Sequence, residues 1–261
     1  MKTKAQKDKH AYMLMGAVLI GVVLLLGAKV SLDHKAKRGM DNCLPDTDRQ
    51  TVVLIDSSEE VPTQTQSEII ARAMSHILQN VRVDERVTIF AISASTPTSL
   101  EPIVSVCRPP EDGNRAIENI AMIRKTFKQN FEAKITKALS NPITDSNYSP
   151  IAQAITDISL SQYLRGRSNT LLIYSDMLEN TAKFSMYNCR TPEKISAIYR
   201  ASRTGAKERP EFRNTEVILN IIPRLKVAKE ALQCREKFWP WFFGDNEGPH
   251  SSIKIDYLPG G

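Results

Sequence analysis

The pattern of apolar and polar residues divides the chain into a membrane-type segment and a folded domain. An uninterrupted apolar run, AYMLMGAVLIGVVLLLGA, occupies residues 11–28 and contains neither a charge nor a proline. At about 1.5 Å per residue a helix of this length extends roughly 27 Å, close to the roughly 30 Å of a bilayer's hydrocarbon core. The run also lacks the polar face that a surface helix of a globular domain would show. It predicts a transmembrane helix over residues 11–30.

A cleaved signal peptide is the main alternative for this segment. Its apolar region would be shorter, about 7–15 residues, and would end in a small-x-small cleavage site. Leu26 occupies the position of the first small residue for a cut after Ala28, and no Leu-x-x-Cys lipobox follows. The sequence therefore favours an uncleaved single-pass anchor, with a basic flank at residues 1–10.

Beyond a polar tether at residues 31–50, strand and helix patterns alternate to the C-terminus. Continuous apolar, β-branched runs are typical of parallel strands buried on both faces, and apolar repeats at three and four residues are typical of amphipathic helices. The alternation predicts one α/β domain over residues 51–261, with a doubly wound, mostly parallel sheet and helices on both faces. The predicted strands are TVVLID (51–56), RVTIFAI (86–92), LEPIVSVC (100–107), NTLLIYSD (169–176), TEVILNIIP (215–223) and SIKIDYL (252–258). The predicted helices cover residues 63–80, 115–139, 149–160, 192–203 and 225–238.

The net charge of +6 belongs entirely to the N-terminal segment. Residues 1–40 carry eight basic and two acidic side chains, so the rest of the chain is neutral. A basic domain that coats phosphates is therefore not expected, and neither is a nucleic-acid partner. Basic residues lie on both sides of the apolar run, so the positive-inside rule alone leaves the orientation open.

Four cysteines, without zinc-type spacing, follow the apolar run. They are either buried thiols or two disulfides in an oxidising compartment. Disulfides would place the N-terminus inside and the domain outside, which predicts a single-pass protein of the inner membrane with a periplasmic domain. If the edge strand 100–107 is antiparallel to its neighbour, its end lies near Cys43. This arrangement pairs Cys43 with Cys107 and leaves Cys189 with Cys234.

Candidate chemistry lies where predicted strands end. Two strands end in the acids Asp56 and Asp176, and Ser149 with Pro150 opens a helix between them as an N-cap and N1 pair. Ligands of open parallel sheets gather beyond the carboxyl ends of the strands. In the order LIDSSEE, NYSPIAQAI and LLIYSDMLEN, the chain resembles the von Willebrand factor A (integrin I-like) superfamily. The resemblance covers residues 51–258 and includes VRVDERVTIFAI, which is similar to the family's second strand and its preceding turn.

The resemblance implies a vWA/Rossmann-like fold with a metal-ion-dependent adhesion site. In the family, Asp-x-Ser-x-Ser follows the first strand, a Thr opens a later helix and an Asp follows the fourth strand. Hydroxyl and carboxylate oxygens of this kind suit Mg²⁺ or Mn²⁺. Glu60 replaces the second serine and leaves two alternatives: a carboxylate that binds the metal itself, or a degenerate site without metal. The corresponding positions here are Asp56, Ser58, Glu60, Ser149 and Asp176.

The aromatic segment FWPWFF, residues 238–243, contains both tryptophans of the chain. It either packs the last helix onto the sheet or exposes a surface for a partner. The candidate partner-binding residues are Phe238, Trp239, Trp241 and Phe242.

These features predict a non-enzymatic, membrane-anchored protein-binding or scaffold module of a bacterial envelope assembly, such as a secretion or conjugation apparatus. A partner would bind at the carboxyl end of the sheet. Two alternatives stay open: a metal-dependent hydrolase or phosphotransferase that uses the same acids, and a metal-free scaffold that binds through the aromatic segment. The sequence contains no G-x-x-x-x-G-K-[ST] phosphate loop and no G-x-S-x-G elbow. We therefore expect neither a nucleotide nor an organic cofactor.

Overall fold

The chain forms two compact units, Met1–Arg38 and Gly39–Gly261. Residues 39–50 of the predicted tether therefore belong to the second unit, where Arg86 of the domain pairs with Asp41. The computed structural model describes residues 4–33, 38–45, 47–58, 61–92, 100–115, 118–140, 148–203, 209–224, 226–244 and 252–258.

The first unit contains helix α1, Lys4–Asp33, which includes the predicted apolar run. Side chains within this helix are described for residues 12–27, and the large apolar ones among them are exposed. Among the residues described, no helix is found that is both long enough and apolar enough to cross a membrane. The helical conformation predicted for residues 11–30 is thus observed, whereas the transmembrane assignment is not confirmed.

The second unit is built around a sheet that has six strands in the described part of the chain, in the order β3-β2-β1-β4-β5-β6. β3 is antiparallel to β2, and every other neighbouring pair is parallel. The predicted doubly wound, mostly parallel sheet is confirmed. The strands are β1 (Arg49–Asp56), β2 (Arg86–Ile92), β3 (Val104–Cys107), β4 (Ser168–Ser175), β5 (Thr215–Ile221) and β6 (Ser252–Tyr257).

Helices cover both faces of this sheet. Alternate residues of β1 face opposite sides, since Val52 packs into one buried apolar cluster and Val53 into the other. The Val53 cluster includes Ile69 of α2, and the Val52 cluster includes Ile155 of α5 and Phe238 of α7. The helices of this unit are α2 (Thr63–Asn80), α3 (Ile120–Phe127), α4 (Ala133–Leu139), α5 (Ile151–Leu160), α6 (Ile195–Ser202) and α7 (Lys229–Phe243).

Helix boundaries depart from the predictions where caps and turns, rather than apolar periodicity, decide them. The helix predicted from residue 115 begins at Ile120, because the Asn119 side chain accepts the backbone N–H of Met122. A π-helical turn, Lys128–Glu132, then joins α3 to α4. α7 begins later than predicted and runs through Pro240 to its end.

Both candidate disulfides are present, Cys43–Cys107 and Cys189–Cys234. The antiparallel direction of β3 brings Cys107 opposite Arg86, at the amino end of β2. The chain that leads into β1 is therefore joined to the end of the edge strand. The second disulfide joins the segment after β4 to α7.

Candidate functional site

The carboxyl ends of β1 and β4 mark the point where the sheet reverses its winding. From β1 the chain proceeds outward to β2 and β3 on one side, and from β4 to β5 and β6 on the other. In open α/β sheets the crevice at this switch point is the usual ligand site. Asp56 is the last residue of β1, and Ser175 is the last residue of β4.

The Asp56 carboxylate accepts hydrogen bonds from three buried serine hydroxyls. Oδ1 accepts from Ser58 Oγ at 2.6 Å and from the Ser58 backbone N–H at 3.1 Å. Oδ2 accepts from Ser149 Oγ and from Ser175 Oγ, each at 2.9 Å. We call these four residues the Asp56 site. The structure thus brings together three of the predicted ligands, Asp56, Ser58 and Ser149, and adds Ser175.

Strand register explains why Ser175 and not its acidic neighbour faces Asp56. Ile55 of β1 lies opposite Tyr174 of β4, so the next residues along each strand, Asp56 and Ser175, reach the same level. Side chains alternate between the two faces of a strand. The Asp176 side chain is therefore directed to the face opposite that of the Ser175 hydroxyl. Asp176 is the expected ligand because the resembled family has an Asp after its fourth strand, whereas strand register decides which side chain reaches Asp56.

Asp176 is buried among partners of its own. Its Oδ1 accepts the backbone N–H of Leu178, and its Oδ2 accepts Arg224 Nε, both at 2.9 Å. Its carbonyl oxygen accepts Arg235 Nη1 at 3.0 Å. The predicted ligand Asp176 thus forms an ion pair with the half-buried Arg224, and this pair anchors the loop after β4.

Ser149 joins two segments at the site instead of capping α5. Its backbone exchanges two hydrogen bonds with Asn180, at 2.8 and 3.0 Å, and its hydroxyl goes to Asp56. Pro150 is the N-cap residue and provides no side-chain cap. The Ala152 N–H instead donates to Glu179 Oε2 at 2.7 Å. The predicted cap is therefore supplied by a carboxyl group from another segment.

Glu179 is a buried acid beside the site that no sequence motif marks. Its pKa is raised to about 8, mainly by burial and also by the negative charge of Asp56. The N–H groups that open α5 and the charge of Arg203 act in the opposite direction. At neutral pH the carboxyl group of Glu179 is therefore mostly protonated, as a neutral group close to the Asp56 carboxylate.

A cleft of ≈ 760 Å³ opens next to the Asp56 site, between α5 and α6. Burial raises the pKa of Asp157 in its wall, against the opposing effects of a hydrogen bond from Gln153 and of the charge of Arg203. The cleft combines aromatic surface with hydrogen-bonding groups, as ligand sites do. Its lining includes Tyr148, Gln153, Asp157, Glu179, Phe184 and Arg203.

The aromatic segment packs α7 onto the domain core, which is the first of the two alternatives that the sequence left open, and this places most of the candidate partner-binding residues inside the fold. Phe238, Trp239 and Phe242 are buried, and Trp241 is half-buried. A partner could not reach three of these four rings without opening the core. The segment instead holds the loop that follows Ser175, since Trp239 Nε1 donates to the carbonyl oxygen of Met177 at 2.7 Å.

Met177 has a φ of 60°, in the left-handed region that residues other than glycine rarely adopt. Its N–H donates to Ser175 Oγ at 2.8 Å, while its carbonyl oxygen accepts Trp239 Nε1. The surrounding bonds hold this conformation in place, as is common beside functional sites. They fix the hydroxyl of Ser175 between Asp56 and the backbone.

The residues of the Asp56 site fit a hard divalent cation. One carboxylate and three hydroxyls provide the oxygen ligands that Mg²⁺ or Mn²⁺ prefers, with a single negative charge among them. Glu60, the remaining predicted ligand, lies outside the described residues. Among the residues that are described, no cluster of three or more His, Cys, Asp or Glu side chains is suited to a metal.

Comparison with protein-family models and with curated proteins gives no match. Among solved structures, the human COPII-coat protein Sec24c is similar, with a TM-score of 0.36 and 11% identity over 85% of this chain and 31% of that one. The ArnB paralog VWA2 from Sulfolobus acidocaldarius is also similar, with a TM-score of 0.35 and 12% identity over 82% of this chain and 42% of that one. The chain spans less than half the length of either protein. At these TM-scores and identities neither likeness supports a conclusion about this chain, and the order and directions of the described strands are those of a doubly wound α/β sheet.

Proposed function

We propose that this chain is a membrane-anchored protein-binding module whose partner contacts the Asp56 site at the carboxyl end of the sheet. The observation that carries the proposal is the convergence of three buried serine hydroxyls on one carboxylate at the switch point between β1 and β4. None of the described residues that hydrogen-bond the Asp56 side chain is a histidine, cysteine or lysine. This composition supports a cation-binding site, and the acidic group of a partner would bind through the cation.

A divalent cation completes this proposal. Asp56, Ser58, Ser149 and Ser175 would hold Mg²⁺ or Mn²⁺, which would present open coordination positions to a carboxylate of the partner. A single protein carboxylate compensates only one of the metal's two positive charges. The cation would therefore attract an external acid, which neither the serines nor a protonated Glu179 would do.

The proposal also places the domain outside the cytoplasm, on an anchor formed by α1. Support comes from the charge-free apolar run at residues 11–28 and from the exposure of its described side chains. Two disulfides support an oxidising compartment such as the periplasm. An anchored binding domain of this kind suits a bacterial envelope assembly, such as a secretion or conjugation apparatus.

Isothermal titration of the full-length chain with Mg²⁺ and Mn²⁺ tests the cation. We expect one binding event, which Asp56→Asn removes because the amide replaces the only charged ligand. Asp112→Asn, which changes an exposed carboxylate elsewhere, is the matched control and should bind as the native chain does. Absence of heat with the native chain would reject the cation but not the partner surface.

Site-specific photocrosslinking in cells tests the partner surface. A photoreactive amino acid at Tyr148, an exposed neighbour of Ser149, should yield a discrete crosslinked protein. The same label at Met122, which is exposed on α3, is the control and should not yield that product. Asp56→Asn should weaken the Tyr148 product about tenfold or more, because loss of a buried charged contact costs several kcal/mol. A Tyr148 crosslink that is unchanged by Asp56→Asn would show that the partner does not bind through the Asp56 site.

A further inference from the structure

β6 forms one edge of the sheet in the described part of the chain. It pairs with β5 along six residues, from Ser252 to Tyr257, and no described strand pairs with its outer side. At roughly 3.3 Å per residue this edge extends about 20 Å. A row of outward-facing backbone N–H and C=O groups of this length is a template for another strand.

The side chains of β6 separate into an apolar and a charged face. Ile255 and Tyr257 are 55% and 56% exposed, and they share their face of the strand with Ile253, which packs against the cluster that contains α5 and α7. The other face carries Lys254 and Asp256. A strand that joined this edge would therefore cover exposed apolar surface on one face and meet one charge of each sign on the other.

Both charges of β6 lie within a row of alternating sign. Lys254 pairs with Glu216 of β5, and Asp256 pairs with Arg72 of α2 at 2.8 Å. At Lys254, a negative charge (Glu216) lies inside the sheet and the positive charge of Lys254 lies at its edge. At Asp256 the order is reversed, because the positive charge of Arg72 lies inside and the negative charge of Asp256 lies at the edge. The edge charge of one pair, Lys254, is therefore opposite in sign to the edge charge of the other pair, Asp256.

We propose that β6 pairs antiparallel with β6 of a second copy of this chain, about a twofold axis at Ile255. In this register Lys254 lies opposite Asp256 of the second copy, and Asp256 lies opposite its Lys254. The charge row then continues across the interface as Glu216, Lys254, Asp256 and Arg72, with alternating signs. On the other face Ile255 meets its own copy and Ile253 meets Tyr257. The two sheets merge into one continuous sheet across an isologous interface.

Neighbouring registers are disfavoured by the charges. A twofold axis at Lys254 would place the two lysines opposite each other, and an axis at Asp256 would place the two aspartates opposite each other. Like charges directly opposite on a sheet are destabilising. Odd shifts would place the apolar face of one copy on the charged face of the other, because the side-chain period is two. Among these registers, only the one centred on Ile255 places unlike charges opposite each other on one face and apolar side chains opposite each other on the other face.

This pairing surface is a sheet edge, so the proposal does not depend on a cation at the Asp56 site.

Cysteine crosslinking of the full-length chain in cells tests the pairing. All four native cysteines are in disulfides, so Ile255→Cys adds the only free thiol. Directly opposite residues of an antiparallel pair lie about 4.5–5.5 Å apart between Cα atoms, within the reach of a disulfide. We expect copper phenanthroline to produce a reducible homodimer. Ile198→Cys, a 46% exposed isoleucine on α6, is the matched control and should yield at least about tenfold less.

Charge reversals added to Ile255→Cys test the register. Lys254→Glu alone places an acid opposite Asp256, and Asp256→Lys alone places a lysine opposite Lys254. Each should weaken the crosslink about tenfold, because two cross-strand pairs become repulsive in each dimer. Co-expression of the two variants with different tags should restore the crosslink between them, since each charge of one β6 then lies opposite an unlike charge of the other β6. Restoration also shows that each variant is folded.

Three results would overturn the proposal. The first is an Ile255→Cys dimer no stronger than that of Ile198→Cys. The second is a crosslink that is insensitive to the charge reversals, which would place another register or another contact at this edge. The third is an Ile255→Cys adduct with a different protein in place of the homodimer, which would assign the edge to another chain's strand.

Discussion

At the scale of single residues, Asp56 holds three segments of the chain together, because a hydroxyl from each segment donates to one of its two carboxylate oxygens. Removing one donor leaves the others in place, so its contribution can be measured individually. Ser175 is the informative case. It donates to Asp56 and accepts the Met177 N–H, and thus links the carboxylate to the left-handed turn after β4.

We expect Ser175→Ala to lower the free energy of unfolding by about 1–3 kcal/mol, because the half-buried Asp56 carboxylate and the buried Met177 N–H each lose a partner. Ser159→Ala on α5 removes a hydroxyl that donates to a helix carbonyl and should change stability by about 0.5 kcal/mol or less. Guanidinium titrations followed by tryptophan fluorescence measure both variants. Equal effects would contradict the assigned role of Ser175.

Glu179 makes stability depend on pH. From its ordinary pKa of 4.5 to about 8, folded Glu179 keeps a proton that the unfolded chain releases. Its contribution to stability is therefore complete below about pH 4.5 and is lost as pH rises to about 8, by up to about 1.4 kcal/mol per pH unit. Glu179→Gln keeps an acceptor for the Ala152 N–H and cannot ionise.

The variant should therefore be close to the native chain in stability at pH 5 and more stable than it at pH 9. Unfolding titrations of both chains at pH 5, 7 and 9 measure the difference. If the difference between the two chains stays constant across this range, Glu179 does not retain its proton in the folded state.

At the scale of elements, α7 holds the backbone that carries the site. Arg235 and Trp239, one turn apart, donate to the carbonyl oxygens of Asp176 and Met177. Periodicity predicted a helix near this position, and the aromatic residues suggested either packing or a partner surface. Burial selects packing, because the rings fill the space between the helix and β4, β5 and α6.

Trp239→Phe should lower the free energy of unfolding by about 1–3 kcal/mol, since it leaves the buried Met177 carbonyl without its donor. Trp241→Phe is the matched control, because Trp241 is half-buried and its ring contacts the guanidinium groups of Arg200 and Arg209. We expect the control to cost less. Far-UV circular dichroism in guanidinium measures both variants while avoiding the loss of a fluorophore.

Predicted and observed elements agree best where an apolar run is long. The β1 and β4 runs are buried on both faces, so composition alone identifies them as central strands. The start of α3 depends on the Asn119 cap, and the start of α5 lies next to a carboxyl group supplied by Glu179. Such contacts come from side-chain geometry and from distant segments, which periodicity does not report.

At the scale of the whole molecule, charge and cysteine chemistry divide the chain in the same way. The positive excess lies within residues 1–40, and both disulfides lie in the second unit. One disulfide joins the chain that leads into β1 to the edge strand β3, and the other joins the loop after β4 to α7. The proposed topology puts these two cross-links in an oxidising compartment.

Alkaline phosphatase fused to the C-terminus should therefore be active, since this reporter needs an oxidising compartment to form its own disulfides. A fusion to a fluorescent protein that folds only in the cytoplasm should be dark at the same position and bright at the N-terminus. The reverse pattern would place the domain inside the cell and contradict the proposed location.

The sequence by itself determined the alternation of strands and helices, the class of fold and the location of the charge, and it predicted the disulfide pairing on the condition that the edge strand is antiparallel. These follow from local patterns and from chain topology. Only the tertiary structure decided that Ser175 rather than Asp176 meets Asp56, that Glu179 is buried beside it, and that the aromatic rings pack inward. The physical reason is register: a shift of one residue along β4 exchanges the side chain at the site for one that pairs with Arg224, and composition does not distinguish the two.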